Sequence, residues 1–135
     1  MRLWHYELIP VLPKQMLVSQ WRECIAIKRQ WEKGTLKHRL VSYVMDYDKA
    51  YLAQYTMKVY NEMRARNIKC NDTYIEEMAI FSNWHYSAVQ YPEHNERYLK
   101  QCLYNLEEKT DRGIISKEEW NNIEERMKWK RMCCS

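Results

Sequence analysis

A glutamate on a helix, a short loop away from the chain's first amine, is the pairing here with the most chemistry in it. Glu23 closes the stretch Gln15-Met16-Leu17-Val18-Ser19-Gln20-Trp21-Arg22-Glu23, and Met1 supplies the amine. An α-amino group has an unperturbed pKa near ~8, so roughly a tenth to a quarter of it is neutral and nucleophilic at neutral pH. A lysine near ~10.4 offers well under ~0.1%. Held beside an acid, the terminus is therefore the better amine for covalent chemistry on a carbonyl or a sugar aldehyde.

The element that must position Glu23 is a first helix over residues 14–32. Leu17, Trp21, Cys24, Lys28 and Trp31 repeat at helical spacing, and Val18, Ile25 and Ile27 widen the stripe. At roughly 100° per residue, Glu23 falls about 100° or more from the centre of that stripe. Arg22 projects on the opposite border. On spacing alone both are solvated helix charges, as expected in a chain that is 30% charged.

Composition bounds the rest. The 135 residues suit one domain with its own core, residues 1–135. Two glycines and three prolines against 46% apolar residues argue against an all-β fold, which needs many more turns. Mean hydropathy is −0.77, and no apolar run approaches the ~18 residues a membrane helix needs. The beginning of the chain lacks a signal-peptide pattern, so a cytoplasmic protein is expected. Five cysteines without a CxxC pair, and His5, His38, His85 and His94 without ligand spacing, predict neither a disulfide framework nor a metal, and no cofactor. Net charge is +4, compatible with a polyanion partner without requiring one. Eleven Tyr and six Trp against one Phe suit wet seams between helices or stacking sites.

Four or five helices are expected. Pro10 and Pro13 predict an extended lead-in over the first dozen residues. Gly34 ends the first helix. Residues 36–45 read as either a short helix or a loop. Asp46 or Asp48 caps a second helix with Tyr51, Leu52, Tyr55, Val59, Tyr60 and Met63 on one face, closing in the basic run Arg64-Ala65-Arg66-Asn67-Ile68-Lys69. Asn71-Asp72-Thr73 is a cap cluster, Thr73 with Glu76 resembles a capping box for a third helix ending near Trp84, and a fourth runs over residues 93–109 after Pro92. Asp111-Arg112-Gly113 is a turn, and Ser116 with Glu119 is a second capping box, opening a helix with Trp120, Ile123 and Met127 on one side. The two basic segments, residues 64–69 and 126–131, are read as helix ends whose cations suit the carboxyl-terminal dipole. The second equally suits phosphate tracking with Trp129 as a stacking ring.

Three blocks of residues carry a family likeness. The first is Gln15, Leu17, Trp21 and Arg22-Glu23. The second is Tyr47-Asp48-Lys49 with a helix ending in Arg66-Asn67-Ile68-Lys69. The third is Tyr91-Pro92-Glu93-His94. In this order they resemble the pyrimidine-dimer DNA glycosylase family, of the phage endonuclease V type. The resemblance implies a small all-α protein, a single compact helical domain whose extended amino-terminal segment threads between helices. It implies a repair glycosylase with associated AP-lyase activity on damaged bases in duplex DNA, working through a Schiff base. The terminal amine attacks C1′ and a carboxylate assists. Carried onto this chain, the catalytic residues are Met1 and Glu23. Arg2 and Arg22 grip phosphates, Gln15 lies near the lesion, and Trp21 packs. Bulky Arg2 blocks removal of the initiator methionine, so the amine is that of Met1. Ala26 and Met16 stand where the family has an arginine and a histidine, with Lys28 or Arg29 as possible substitutes.

Two other readings stay open from composition. One is a non-catalytic helical module binding nucleic acid through Arg2, Arg22 and the tail. The other is a protein-interaction bundle with a Tyr/Trp surface. A monomer with damaged double-stranded DNA as its partner is the expectation that follows from the family.

Overall fold

Side chains from distant parts of the sequence set the path of the amino-terminal segment. The computed structural model describes the backbone of residues 1–134 and the side chains of residues 1–128. A 3-10 helix at Tyr6–Val11 is followed by α1 (Lys14–Lys33) and a second 3-10 helix at Ser42–Asp46. Then come α2 (Lys49–Ala65), α3 (Asp72–Phe81), α4 (Glu96–Asp111) and α5 (Lys117–Cys134), with no strand among the described residues. The fold is all-α, as expected.

The fully extended lead-in is corrected: residues 6–11 are helical, with Pro10 inside the turn. Proline's fixed φ suits a 3-10 turn as well as an extended segment. The carbonyls left open at the end of that short helix are taken by Arg66. Its Nη1 donates to the Leu12 carbonyl at 2.7 Å, and its Nη2 to those of Pro10 and Ile9 at 2.9 and 3.3 Å. Glu62 fixes the guanidinium through Nε at 2.7 Å. In the basic run that closes α2, Arg66 is thus committed to holding the fold.

Helix α1 buries Leu17, Trp21, Cys24, Ile25, Ile27 and Lys28, and ends where Gly34 turns left-handed at φ 71°. The Gly34 and Thr35 amides then reach back to the carbonyls of Trp31 and Gln30. Helix α2 lies against it, burying Leu52, Tyr55, Val59 and Met63. Of the two candidate caps it is Asp48 whose carboxylate accepts from the Ala50 amide, at 2.8 Å. The ambiguous segment before it resolves as loop followed by the second 3-10 helix.

Several helix boundaries are sharper than or shifted from expectation. The cap of α3 is Asn71 rather than Thr73, its Oδ1 accepting from the Thr73 amide at 3.1 Å and hydroxyl at 2.6 Å. That helix stops at Phe81, because Asn83 and Trp84 adopt φ of 56° and 61°, outside helical space. Helix α4 begins at Glu96, where Asn95 accepts from the Tyr98 amide at 2.9 Å. The capping box of α5 forms as read. The Ser116 Oγ accepts from the Glu119 amide at 3.1 Å, and the Glu119 carboxylate accepts from the Ser116 amide at 3.0 Å.

A continuous hydrophobic cluster runs from Leu3, Trp4 and Leu8 through α1 and α2 to Leu99, Cys102 and Leu106 of α4 and Ile123 and Met127 of α5. At its edge Glu77 of α3 accepts from Lys28 Nζ and from Arg29 Nε and Nη2, all at 2.9 Å. Those donors hold its carboxyl down at about 2. Lys28 and Arg29 are therefore tied to α3. Trp129, Lys130 and Arg131, on which the phosphate-tracking reading of the tail depends, lie outside the described side chains.

Candidate active site

Residues 2–4 form a strap across three helices, held through its main-chain amide and carbonyls. Gln20 of α1 is only 1% exposed, and its Oε1 accepts from the Trp4 amide at 2.8 Å. Its Nε2 donates to the Arg2 carbonyl at 2.9 Å and to the Glu23 carboxylate at 3.3 Å. Tyr55 of α2, fully buried, shares its hydroxyl between the Trp4 carbonyl at 2.5 Å and Gln20 Oε1 at 3.0 Å. From α4, the Tyr98 hydroxyl donates to the Leu3 carbonyl. The carbonyl of Arg2 and the carboxylate of Glu23 are consequently two acceptors of one amide nitrogen.

Beneath the strap lies an aromatic floor. His94 Nδ1 accepts from the Tyr6 amide at 3.2 Å, so the ring proton sits on Nε2, which donates to the Tyr43 hydroxyl at 2.8 Å. Burial, with His5 alongside, pushes this imidazole down to about 3, and it stays neutral. Tyr91 packs edge-on or tilted among Tyr43, Tyr47, Tyr51 and His94 at centroid distances of 5.3 to 5.7 Å. The Tyr47 hydroxyl reaches the Glu93 carboxylate at 2.9 Å, joining the second and third sequence blocks. Those blocks build the floor.

The expected site residues divide into two groups. Arg2 and Glu23 meet at Gln20, with Met1 exposed just ahead of them. The Arg2 guanidinium sits 5.0 Å over the Trp4 ring. Arg22 and Gln15 are exposed on α1, seven residues apart and so about two turns along one outward row. Ala26 continues that row, while Met16 packs partly buried against the core. No hydrogen bond ties this row to the strap. Trp21 is buried between Tyr60 and Tyr74 at 5.6 and 6.0 Å, a packing residue as read.

Sequence reasoning missed Gln20, Tyr55 and Tyr98 as the residues that hold the strap. One signal was available: Gln20 is a polar residue at a core-facing position, three after Leu17 and four before Cys24. Among the described residues no cluster of His, Cys, Asp or Glu could hold a metal ion, and no helix is long and apolar enough to cross a membrane.

A family model described as pyrimidine dimer DNA glycosylase matches residues 1–76, more than half of the chain. The chain belongs to that family. Neither a curated protein nor a solved structure matches it. Membership makes damaged DNA the substrate class of this glycosylase-family chain. The matched span holds the strap, α1 with Gln20 and Glu23, and α2 with Tyr55. His94, Tyr98 and the rest of α4 lie beyond it, so this glycosylase completes its floor with residues outside the family match.

Proposed function

We propose that the chain is a DNA-repair glycosylase with associated AP-lyase activity, with the Met1 amine and Glu23 carrying the chemistry. The reading rests on one observation: Gln20 Nε2 hydrogen-bonds both the Arg2 carbonyl and the Glu23 carboxylate, which holds an acid beside the beginning of the chain. The neutral amine's lone pair forms the new bond to C1′ as the glycosidic bond breaks. The base leaves with the bonding pair of that bond, and the proton the new ammonium loses passes through Glu23 to the base. Glu23 offsets the positive charge that develops on the sugar. Opening of the ring at O4′ gives the imine. A proton then leaves C2′, the C2′–H electrons form C2′=C3′, and the C3′–O bond breaks to release the phosphate. Hydrolysis of the conjugated imine frees the amine. The amine, the carboxylate and water together account for every bond change.

Arg2, Gln15 and Arg22 are the proposed DNA contacts, the arginines as phosphate grips. Reaching C1′ in a duplex requires distortion that costs a few kcal/mol, partly offset where a lesion weakens pairing. A cytoplasmic, monomeric, one-domain protein is the corresponding picture of the whole chain.

Borohydride reduction during turnover on UV-irradiated and abasic duplexes is the test. Untagged protein is expected to give a covalent adduct that peptide mapping places on Met1. Glu23→Gln should lose base release while keeping DNA affinity. Absence of an adduct on both substrates would overturn the catalytic reading, and salt-dependent binding without cleavage would put the non-catalytic module in its place.

A further inference from the structure

Next to Arg2 opens a cleft of about 430 Å³ that is not used by the chemistry above. Its main wall is the outward face of α4: Arg97, Lys100, Gln101, Tyr104 and Asn105 line it. Their spacing of three, four, seven and eight residues places them on one side of the helix, opposite buried Leu99, Cys102 and Leu106. The facing wall is Leu40, 50% exposed, which follows the exposed basic run Lys37-His38-Arg39. Arg2 closes the inner end. Three cations and no carboxylate line the cleft, and Arg97 and Lys100 form no salt bridge among the described residues. Glu108, one turn past Tyr104 on the same face, bounds the cationic stretch. Tyr104 is 70% exposed, so a flat apolar ring stands in solvent between cations.

Charge decides the occupant. A cleft walled by Arg2, Arg97 and Lys100 favours a polyanion, and spaced cations beside an exposed aromatic ring match a sugar–phosphate chain with a base to stack. We infer that this α4 cleft is a DNA-strand contact site continuous with Arg2, in which Arg97 and Lys100 hold phosphates and Tyr104 stacks on a base or sugar. The inference rests on DNA as the substrate but not on the Schiff-base steps. It assigns to α4, which lies outside the family match, a direct part in holding the substrate.

Fluorescence anisotropy with a labelled abasic duplex, titrated at several salt concentrations, tests it. Removing two phosphate contacts in Arg97→Ala/Lys100→Ala should make the log–log salt slope shallower by about 1–2. Tyr104→Ala should weaken binding by roughly five- to a hundredfold and leave the slope unchanged. Arg112→Ala/Lys117→Ala removes the same charge from the α4–α5 turn and controls for net charge. All these positions are exposed, so circular dichroism should show an unaltered fold. Equal slopes in the two double variants, or full affinity in Tyr104→Ala, would overturn the cleft assignment. Wild-type protein that binds DNA through the cleft but forms no borohydride adduct would instead overturn the catalytic reading alone. Wild-type protein that does not bind DNA would overturn both.

Discussion

Gln20 does four things with one amide group: it accepts from Trp4 and from the Tyr55 hydroxyl, donates to Arg2 and donates to Glu23. Gln20→Leu keeps the volume but leaves a buried peptide N–H and a carbonyl unpaired. The expected cost is about 2–4 kcal/mol in urea unfolding, from two lost partners at about 1–2 kcal/mol each. Activity should fall further than stability explains, because the Glu23 carboxylate loses its link to the strap; turnover comparable to wild type in the folded variant would refute that link. Tyr91 predicts the opposite sign. Its hydroxyl is buried without a hydrogen-bond partner, while its ring packs against four others. Tyr91→Phe removes the unpaired group and keeps the ring, so stability should hold or rise by about 1 kcal/mol. A clear loss in the urea midpoint would show that the hydroxyl has a partner in solution.

Neutral His94 joins the amino-terminal 3-10 helix to the second one, through the Tyr6 amide and the Tyr43 hydroxyl. Its folded pKa of about 3 lies below the ordinary 6.5, so the unfolded chain binds the extra proton first. The stabilisation is complete above pH 6.5 and drains away as pH falls from there towards 3. Denaturation at pH 7 and pH 5 should differ by about 2 kcal/mol, and His94→Gln should flatten that dependence. Glu77, tying α3 to α1, titrates lower. Its contribution is present above about 4.5 and is lost as pH falls towards 2. Glu77→Gln should cost about 1–2 kcal/mol at neutral pH, a figure reduced because Arg29 is half exposed, and nearly nothing at pH 2. These elements also show what was legible beforehand. Ser116 with Glu119, Asp48 and Gly34 act within a few residues of themselves, and sequence spacing reports such effects. The 3-10 helix at Tyr6–Val11 was not legible, because the guanidinium closing it belongs to a residue more than fifty positions later. The end of α3 was misplaced because Asn83 and Trp84 carry no glycine to announce a left-handed turn.

Taken together, the helices hold a short peptide rather than a preformed box of side chains. Glu23, Arg2 and Arg22 could be picked out through family likeness. Gln20, Tyr55 and Tyr98 could not, since their partners are main-chain atoms 16 to 95 residues away. With the Met1 amine as the proposed nucleophile, the amino terminus should not tolerate additions. An uncleaved tag converts the Met1 amine to an amide, so a tagged protein is expected to unfold normally, bind DNA and form no borohydride adduct. Removal of the tag that regenerates Met1 should restore trapping, and an adduct formed by the tagged protein would move the nucleophile elsewhere.

The anchoring of Leu3 by Tyr98, 95 positions downstream, bears on when the protein becomes competent. Translation proceeds at roughly 5–20 residues per second, so the strap leaves the ribosome several seconds before the tyrosine that secures it. A nascent chain paused before α4 carries Glu23 with Gln20 and Tyr55, but lacks the α4 tie to the Leu3 carbonyl. On the proposed chemistry the strap is fully fixed only after late synthesis, and fragments ending short of Tyr98 should show reduced borohydride trapping.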